Sequence, residues 1–204
     1  MHIADGVVTW PVLASGSLLA AGGVMMGLRA VTPERLPVTA LMTTVFFIAS
    51  LLHIPIGPAQ LHLVLNGLAG LLLGWAVFPA FLIALALQAV MFGYGGLTVL
   101  GLNTFIMAAP GLLAHLALRA HLTQTMSPRA AFNLGALTGV IGIGGAVILL
   151  TACLLMSGGH FRSVSAMIAA SNLPLLVIET VVTGSAVAFI RKAKPELLPG
   201  GSDR

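Results

Sequence analysis

The stretch Leu61–Gln88, with the sequence LHLVLNGLAGLLLGWAVFPAFLIALALQ, contains no charged side chain from end to end. An α-helix needs about 20 mainly apolar residues to cross a membrane, with a range of roughly 17–25. The stretch is therefore too long for one straight crossing, and the bulky Trp75–Pro79 segment at its middle predicts a turn. We expect two short membrane helices, Leu61–Trp75 and Pro79–Phe92; one fused helix is the alternative.

Five further apolar stretches flank this pair and complete the predicted set of membrane helices. Hydrophobic residues make up 58% of the 204 residues and charged residues only 7%, whereas a soluble domain has about 25% charged residues. The composition therefore predicts an all-α membrane protein with seven transmembrane helices. Residues 1–194 would form a single membrane domain, and residues 195–204 a polar tail. The other predicted spans are Thr9–Leu28, Leu36–Leu52, Asn103–Ala120, Ala131–Met156 and Ser165–Ile190.

The basic residues predict how the helices are oriented. With seven spans, every Lys and Arg except Arg162 falls on one side of the membrane, and the positive-inside rule makes that side cytoplasmic. The N-terminus is then outside and the C-terminus cytoplasmic. Six spans would place the early basic loop and the basic tail on opposite sides, so the charges favour seven. The residues on the basic side are Arg29, Arg35, Arg119, Arg129, Arg191, Lys192, Lys194 and Arg204.

Several classes of chemistry are excluded by missing motifs. The single cysteine, Cys153, rules out an internal disulfide framework or a cysteine-type zinc site. The basic residues lie between the apolar stretches and do not form the clustered surface of a nucleic-acid-binding protein. No G-x-x-x-x-G-K-[ST] phosphate loop occurs. The chain is therefore not expected to be an enzyme or to hydrolyse ATP itself.

The N-terminus predicts a metal site. The chain begins Met1-His2-Ile3-Ala4-Asp5-Gly6, without the basic segment that opens a cleavable signal peptide, so we expect Met1 to keep its free amine. That amine, the His2 amide nitrogen and the His2 imidazole can close two fused chelate rings on one ion. His62, at the outer end of the third predicted span, would supply a fourth nitrogen. Square-planar nitrogen coordination suits Cu(II) or Ni(II), whereas zinc prefers tetrahedral sites.

The remaining histidines and one acid inside a predicted span each have a structural interpretation beside a functional one. His53 would either orient the metal site or lie at the membrane interface, and His160 could collect metal in an outer loop or be an ordinary surface residue. His115 and His121 are expected to be packing or interface residues near the cytoplasm. Glu179 is the acidic residue inside a predicted span, where a charge is costly and usually partnered. An ion pathway and an internal hydrogen-bond anchor are both open for it.

Four motifs resemble one known family. The chain resembles the substrate-binding membrane component, or S component, of energy-coupling factor (ECF) nickel/cobalt transporters over nearly its whole length. That family implies a six-helix S-component core with an extra N-terminal helix, located in a bacterial or archaeal cell membrane. The motifs are Met1–Gly6, His62–Gly67 (HLVLNG), Gln88–Thr104 (QAVMFGYGGLTVLGLNT) and Asn172–Glu179 (NLPLLVIE).

The resemblance implies a substrate, ligands and partners. The substrate would be Ni2+ or Co2+, with Asp5 favouring nickel, bound by Met1, His2 and His62. Asn66, Gln88 and Asn103 lie in the shared motifs and are candidates for supporting that site. The implied partners are a transmembrane coupling (T) component, two cytoplasmic ATPases and a small accessory membrane subunit, with no nucleic acid.

Two rival functions follow from other residues. A proton-coupled secondary metal carrier would use Glu179 as its proton site, although the paired repeats frequent in such carriers are not evident. An intramembrane serine protease would use Ser15 or Ser185 with a histidine, but the glycine-rich serine motif of rhomboid-type proteases is missing.

Overall fold

The computed structural model describes residues 3–51, 53–56, 59–123, 125–158, 167–168 and 170–198, with only the backbone at 53–56 and 59–61. In this part of the chain the structure is helical apart from one short hairpin, which confirms the all-α class. Three single 3-10 turns lie at Gly74–Ala76, Arg119–His121 and Pro195–Leu197. The elements are α1 (Trp10–Ala30), α2 (Leu36–Leu51), β1 (His53–Ile56), β2 (Ala59–His62), α3 (Asn66–Leu73), α4 (Val77–Phe92), α5 (Leu100–Leu118), α6 (Pro128–Ser157) and α7 (Leu173–Ala193).

Five helical runs in the described residues are apolar and long enough to cross a membrane, which identifies a multi-pass membrane protein. Four of them are close to predicted spans. The fifth run, Asn66–Phe92, joins α3, the turn at Gly74–Ala76 and α4, while Leu36–Leu51 is a shorter apolar helix. The runs are Trp10–Ala30, Asn66–Phe92, Leu100–His121, Pro128–Ser157 and Leu173–Ala193.

The third predicted helix is where the sequence-based boundaries are wrong. Leu61 and His62 belong to β2, and the helix begins only at Asn66, because Leu65 has a left-handed backbone (φ 52°). The predicted turn is confirmed slightly earlier than expected, at Gly74. There φ is 57° and ψ is −129°, a conformation that only glycine adopts without strain. The eight residues of α3 span about 12 Å, less than half of the hydrocarbon core.

The predicted outer loop after α2 contains an antiparallel hairpin that the sequence did not reveal. Its backbone register pairs His53 with His62 and Ile56 with Ala59. At the base of the hairpin, the Gln88 Nε2 of α4 donates a hydrogen bond to the Ser50 Oγ of α2 at 2.6 Å. The pairing of β1 with β2 provides hydrogen-bond partners for backbone N–H and C=O groups that would otherwise lack them.

Contacts between helices define two ends of the bundle. At the hairpin end, the start of α1 meets the end of α6, where the Thr9 N–H donates to the Ser157 Oγ at 3.2 Å. At the tail end, the last turn of α1 packs closely against the turn between α3 and α4. A Cβ added at Gly27 would lie only 2.5 Å from the Trp75 carbonyl oxygen. A cavity of about 320 Å³ at the tail end is lined by the start of α2, the end of α3 and the tail. In the tail, Leu198 is buried in the main core.

The small residues of α6 pack inside the bundle. Gly135 and Gly139 contact the backbone of α7, and Gly142 contacts α3 at Gly67. The main core surrounds α3, whose residues are all buried, and includes a stacked pair, Phe46 and Phe81, with ring centroids 4.0 Å apart. The bundle therefore encloses a short helix that begins deep inside it.

Candidate metal centre

The N-terminal segment is held to the first turn of α5 by one side-chain amide. The Ile3 N–H donates to the Asn103 Oδ1, and the Asn103 Nδ2 donates to the Ile3 carbonyl, both at 3.0 Å. Ile3 is 3% exposed and packs in an apolar cluster of α1, α5 and α6 residues. The backbone at residue 3 is therefore inserted into the hairpin end. Met1 and His2, the predicted ligands, lie outside the described residues and are covalently joined to this fixed point.

Asp5 adds a second attachment. Its Oδ1 accepts hydrogen bonds from the Thr98 hydroxyl and from the Val99 N–H, the latter at 3.3 Å. A Cβ at Gly96 would lie 2.2 Å from this carboxylate, so the glycine leaves the room that Asp5 occupies. The predicted preference for nickel from Asp5 stays a prediction, whereas the contacts give Asp5 a role in holding the N-terminal segment.

His62 is the last residue of β2 and is buried. Its Nδ1 lies 3.3 Å from the Leu63 carbonyl oxygen. In the tautomer that carries its proton on Nδ1, this contact is a hydrogen bond, and Nε2 is then the nitrogen that can bind a metal ion.

The segments that carry the predicted ligands converge on the same part of α5. Asn103 binds Ile3, and the Met107 carbonyl, one helical turn further along, accepts a hydrogen bond from the Asn66 Nδ2 at 3.2 Å. Four residues of α-helix rise about 6 Å and return to the same face. The residues that follow His62 and those that follow His2 are therefore anchored about one helical turn apart.

The residues predicted to support the site contact different parts of the bundle. Asn66 is fully buried and also donates to the Gly142 carbonyl at 2.9 Å, so it fastens α3 to both α5 and α6. Gln88 joins α4 to α2 through Ser50. Asn103 holds the N-terminal segment through its two hydrogen bonds with Ile3. His53 is paired with His62 in the hairpin backbone, and its side chain lies outside the described structure.

Glu179 is fully buried in α7 and binds the backbone immediately before α3. Its Oε1 accepts from the Val64 N–H and, at 2.9 Å, from the Leu65 N–H, while its Oε2 lies 3.1 Å from the same Leu65 nitrogen. These bonds show the internal anchor that the sequence left open as one of two roles. They connect the only acid inside a predicted span to the segment that begins with His62.

Two of the other histidines and both candidate serines lie in the described part of the chain. The His115 Nδ1 lies 2.8 Å from the Leu71 carbonyl at the end of α3, a packing role as predicted. His121 is exposed in the turn after α5, and His160 lies outside the described residues. The Ser15 hydroxyl donates to the Val12 carbonyl, and Ser185 is exposed on α7. Within the described part of the chain, no group of three or more His, Cys, Asp or Glu residues could hold a metal ion.

Sequence reasoning missed Thr98, Gly96 and the paired amides of Val64 and Leu65. The first two lie in the Gln88–Thr104 motif, which the sequence singled out as a whole without indicating these two residues. The backbone amides carry no sequence signal, because their role depends on a left-handed leucine.

Comparisons with known proteins identify the family and the fold. Residues 2–197 match the CbiM family, described as the cobalt uptake substrate-specific transmembrane region. A putative metal transport protein of Haemophilus influenzae is 41% identical over 199 residues, which are 97% of each chain. The fused nickel transport protein NikMN of Rhodobacter capsulatus is 30% identical over 83% of this chain and 54% of its own length. A crystal structure of a transition metal transporter has the same fold, with a TM-score of 0.76 at 23% identity over 94% of this chain and 93% of that one.

Proposed function

The chain belongs to the CbiM family of cobalt uptake substrate-specific transmembrane regions, and from this membership we propose that it is the substrate-binding membrane subunit of an ATP-driven ECF transporter importing Ni2+ or Co2+. The chain itself binds the ion and separate subunits hydrolyse ATP. The observation that carries the proposal is the docking of the N-terminal segment, through Asn103, beside the residues that follow His62.

The proposed ligands are the Met1 amine, the His2 amide and imidazole nitrogens, and the His62 Nε2. The Asn103 and Asp5 contacts support this set because they hold the backbone at residues 3 and 5 against α5. The contact between the His62 Nδ1 and the Leu63 carbonyl oxygen supports Nε2 over Nδ1 as the ligand atom. Four nitrogen donors, three of them confined near one plane by the fused chelate rings, suit Ni(II), and the same donors bind Co(II) with lower intrinsic affinity.

We propose seven crossings with the N-terminus outside and the C-terminus cytoplasmic. In support, the turn at Gly74 lies beside the last turn of α1, whereas Gln88 near the end of α4 lies beside the base of the hairpin. The third crossing would then consist of residues 62–65, which are not helical, followed by α3. Residues 1–194 form the membrane domain in this proposal, and the basic tail end with residues 195–204 faces the cytoplasm.

The proposed partners are a transmembrane T component, two cytoplasmic ATPases and a small accessory membrane subunit. The fused nickel transport relative supports a multi-component assembly, because this chain covers only 54% of that protein. His53, Gln88 and Asn66 are proposed to support the site by fixing the hairpin base and the start of α3.

The rival secondary carrier would use Glu179 to bind and release protons during transport. Against this, the Glu179 carboxylate accepts hydrogen bonds from two backbone N–H groups, which occupy its oxygens and hold the side chain in place. A proton added to this carboxylate would weaken the hydrogen bonds that it accepts. The geometry therefore favours a fixed anchor over a proton carrier.

Uptake into proteoliposomes distinguishes the two functions. Vesicles that contain this chain, the T component and both ATPases should accumulate radioactive nickel or cobalt only when ATP is present on the cytoplasmic face. Vesicles without the ATPases serve as the matched control and should show background uptake, with or without a proton gradient. Gradient-driven uptake by the chain alone would contradict the proposal and favour the secondary carrier.

A further inference from the structure

The backbone just after His62 has an unusual conformation that needs external support. Leu65 has φ 52° and ψ 24°, and it is the only non-glycine residue with positive φ in the described part of the chain. A left-handed leucine is strained and persists only where its surroundings fix it. The residue is 7% exposed and directly precedes α3. Whatever fixes Leu65 also determines where the non-helical segment ends and the helix begins.

Glu179 provides that support from another helix. Its carboxylate accepts from the Val64 and Leu65 amides, and it reaches them because α3, α6 and α7 meet backbone to backbone. A Cβ at Gly139 of α6 would lie 2.8 Å from the Glu179 carbonyl, and one at Gly67 of α3 would lie 2.4 Å from the Thr138 carbonyl. The packing leaves Glu179 little freedom, so the two amides it binds are fixed as well.

We propose that Glu179 is a positioning residue of the metal site, which fixes His62 by binding the backbone amides of Val64 and Leu65. The inference rests on the proposed function and deepens it. His62 is two residues before Val64, so a shift of the held amides moves the imidazole relative to the N-terminal segment. Loss of the carboxylate should therefore change metal affinity and geometry, beyond any effect on folding.

The test uses the full chain in detergent with an unmodified N-terminus and Ni2+ as the probe. Glu179→Gln keeps the size and one carbonyl acceptor but replaces the second oxygen by an NH2 group that cannot accept, and Glu179→Met removes both acceptors. Thr183→Val is the matched control: Thr183 is buried one turn further along α7, and its hydroxyl has no hydrogen-bond partner among the described residues. Nickel titration gives the affinity and the stoichiometry, and the weak visible absorption band reports the coordination geometry.

We expect Glu179→Gln to weaken nickel binding about 10–100-fold, the range seen when residues that orient metal ligands are removed. The visible band should shift while saturation still reaches the stoichiometry of the unsubstituted chain, and Thr183→Val should change neither. An unchanged affinity and band in Glu179→Gln would overturn the inference. So would a reduced stoichiometry at unchanged affinity, which indicates partial unfolding only. If Glu179→Met does not fold, Glu179→Gln decides alone. A lack of nickel binding by the unsubstituted chain would instead overturn the proposed function, and this inference with it.

Discussion

Asn103 is the residue that most clearly links the fold to the site. Its carboxamide both accepts from and donates to the backbone of Ile3, as a neighbouring β-strand would, and it is 3% exposed. A buried amide pair of this kind is costly to break, because each group left unpaired loses about 1–3 kcal/mol. Asn103 therefore fixes the backbone position of Ile3, to which residues 1 and 2 are covalently joined.

Replacing Asn103 should impair metal binding more than folding. Asn103→Asp keeps the acceptor for the Ile3 N–H but places a second oxygen against the Ile3 carbonyl, so the segment should detach. We expect nickel affinity to fall at least about tenfold, which corresponds to about 1.4 kcal/mol. Thr104→Val is the control, since the Thr104 hydroxyl only donates to the Leu100 carbonyl within its own helix. Equal nickel affinity for Asn103→Asp and Thr104→Val, by calorimetric titration, would contradict this role.

Among the elements, apolar length predicted most helices well and the third one poorly. The N-termini of α1 and α6 have prolines in the first turn, where a missing N–H costs nothing, and Ser127 caps α6 through the Ala130 N–H. Such local signals are visible in a sequence. The start of α3 at Asn66 is not, because an apolar run with no charge looks equally helical throughout. Its true boundary depends on the distant Glu179.

The requirement for a glycine in the turn between α3 and α4 can be tested by replacing Gly74. Its backbone angles are suited to glycine alone, and a Cβ there would lie 3.0 Å from the His115 Nε2. Gly74→Ala should therefore destabilise the bundle by about 1–3 kcal/mol, seen as a lower midpoint of thermal unfolding in detergent.

Gly144→Ala is the matched control for Gly74→Ala. Gly144 lies within α6, and nothing is found within 4 Å of its added Cβ. Alanine is favoured over glycine in a helix by about 1 kcal/mol, so the midpoint should stay or rise. A Gly74→Ala variant as stable as Gly144→Ala would mean that the turn does not require a glycine.

The segments of the predicted metal site lie at one end of the molecule, and the early basic loop lies at the other. The N-terminal segment, the hairpin and His62 gather at the hairpin end, whereas the early basic loop at Arg35 lines the cavity at the tail end with Glu196 and Leu198. A subunit that takes up an ion on one face and meets partner proteins on the other would need this arrangement. The apolar helices between the two ends supply the depth of a membrane.

The sequence predicted the membrane class and the family, because composition and short motifs carry that information, whereas its nitrogen ligands stay a prediction. It also singled out Asn66, Gln88, Asn103 and Glu179 as candidates. The sequence did not predict their contacts, because the partners are far apart along the chain. Asn103 and Ile3 are 100 residues apart, and Glu179 and Leu65 are 114 residues apart. Such pairs meet only when helices pack, and no local pattern records which backbone group a buried side chain will bind.

Nickel binding by a chain extended at its N-terminus tests whether the amine of Met1 is a ligand. One additional glycine before Met1 moves the free amine out of the fused chelate rings but leaves the Ile3 and Asp5 contacts in place. The control carries the same glycine after Arg204. We predict that the N-terminal extension abolishes nickel binding and its visible band, while the thermal unfolding midpoint of the metal-free protein is unchanged and the control binds normally. Nickel binding by the N-terminally extended chain with the affinity and band of the control would contradict this account of the site.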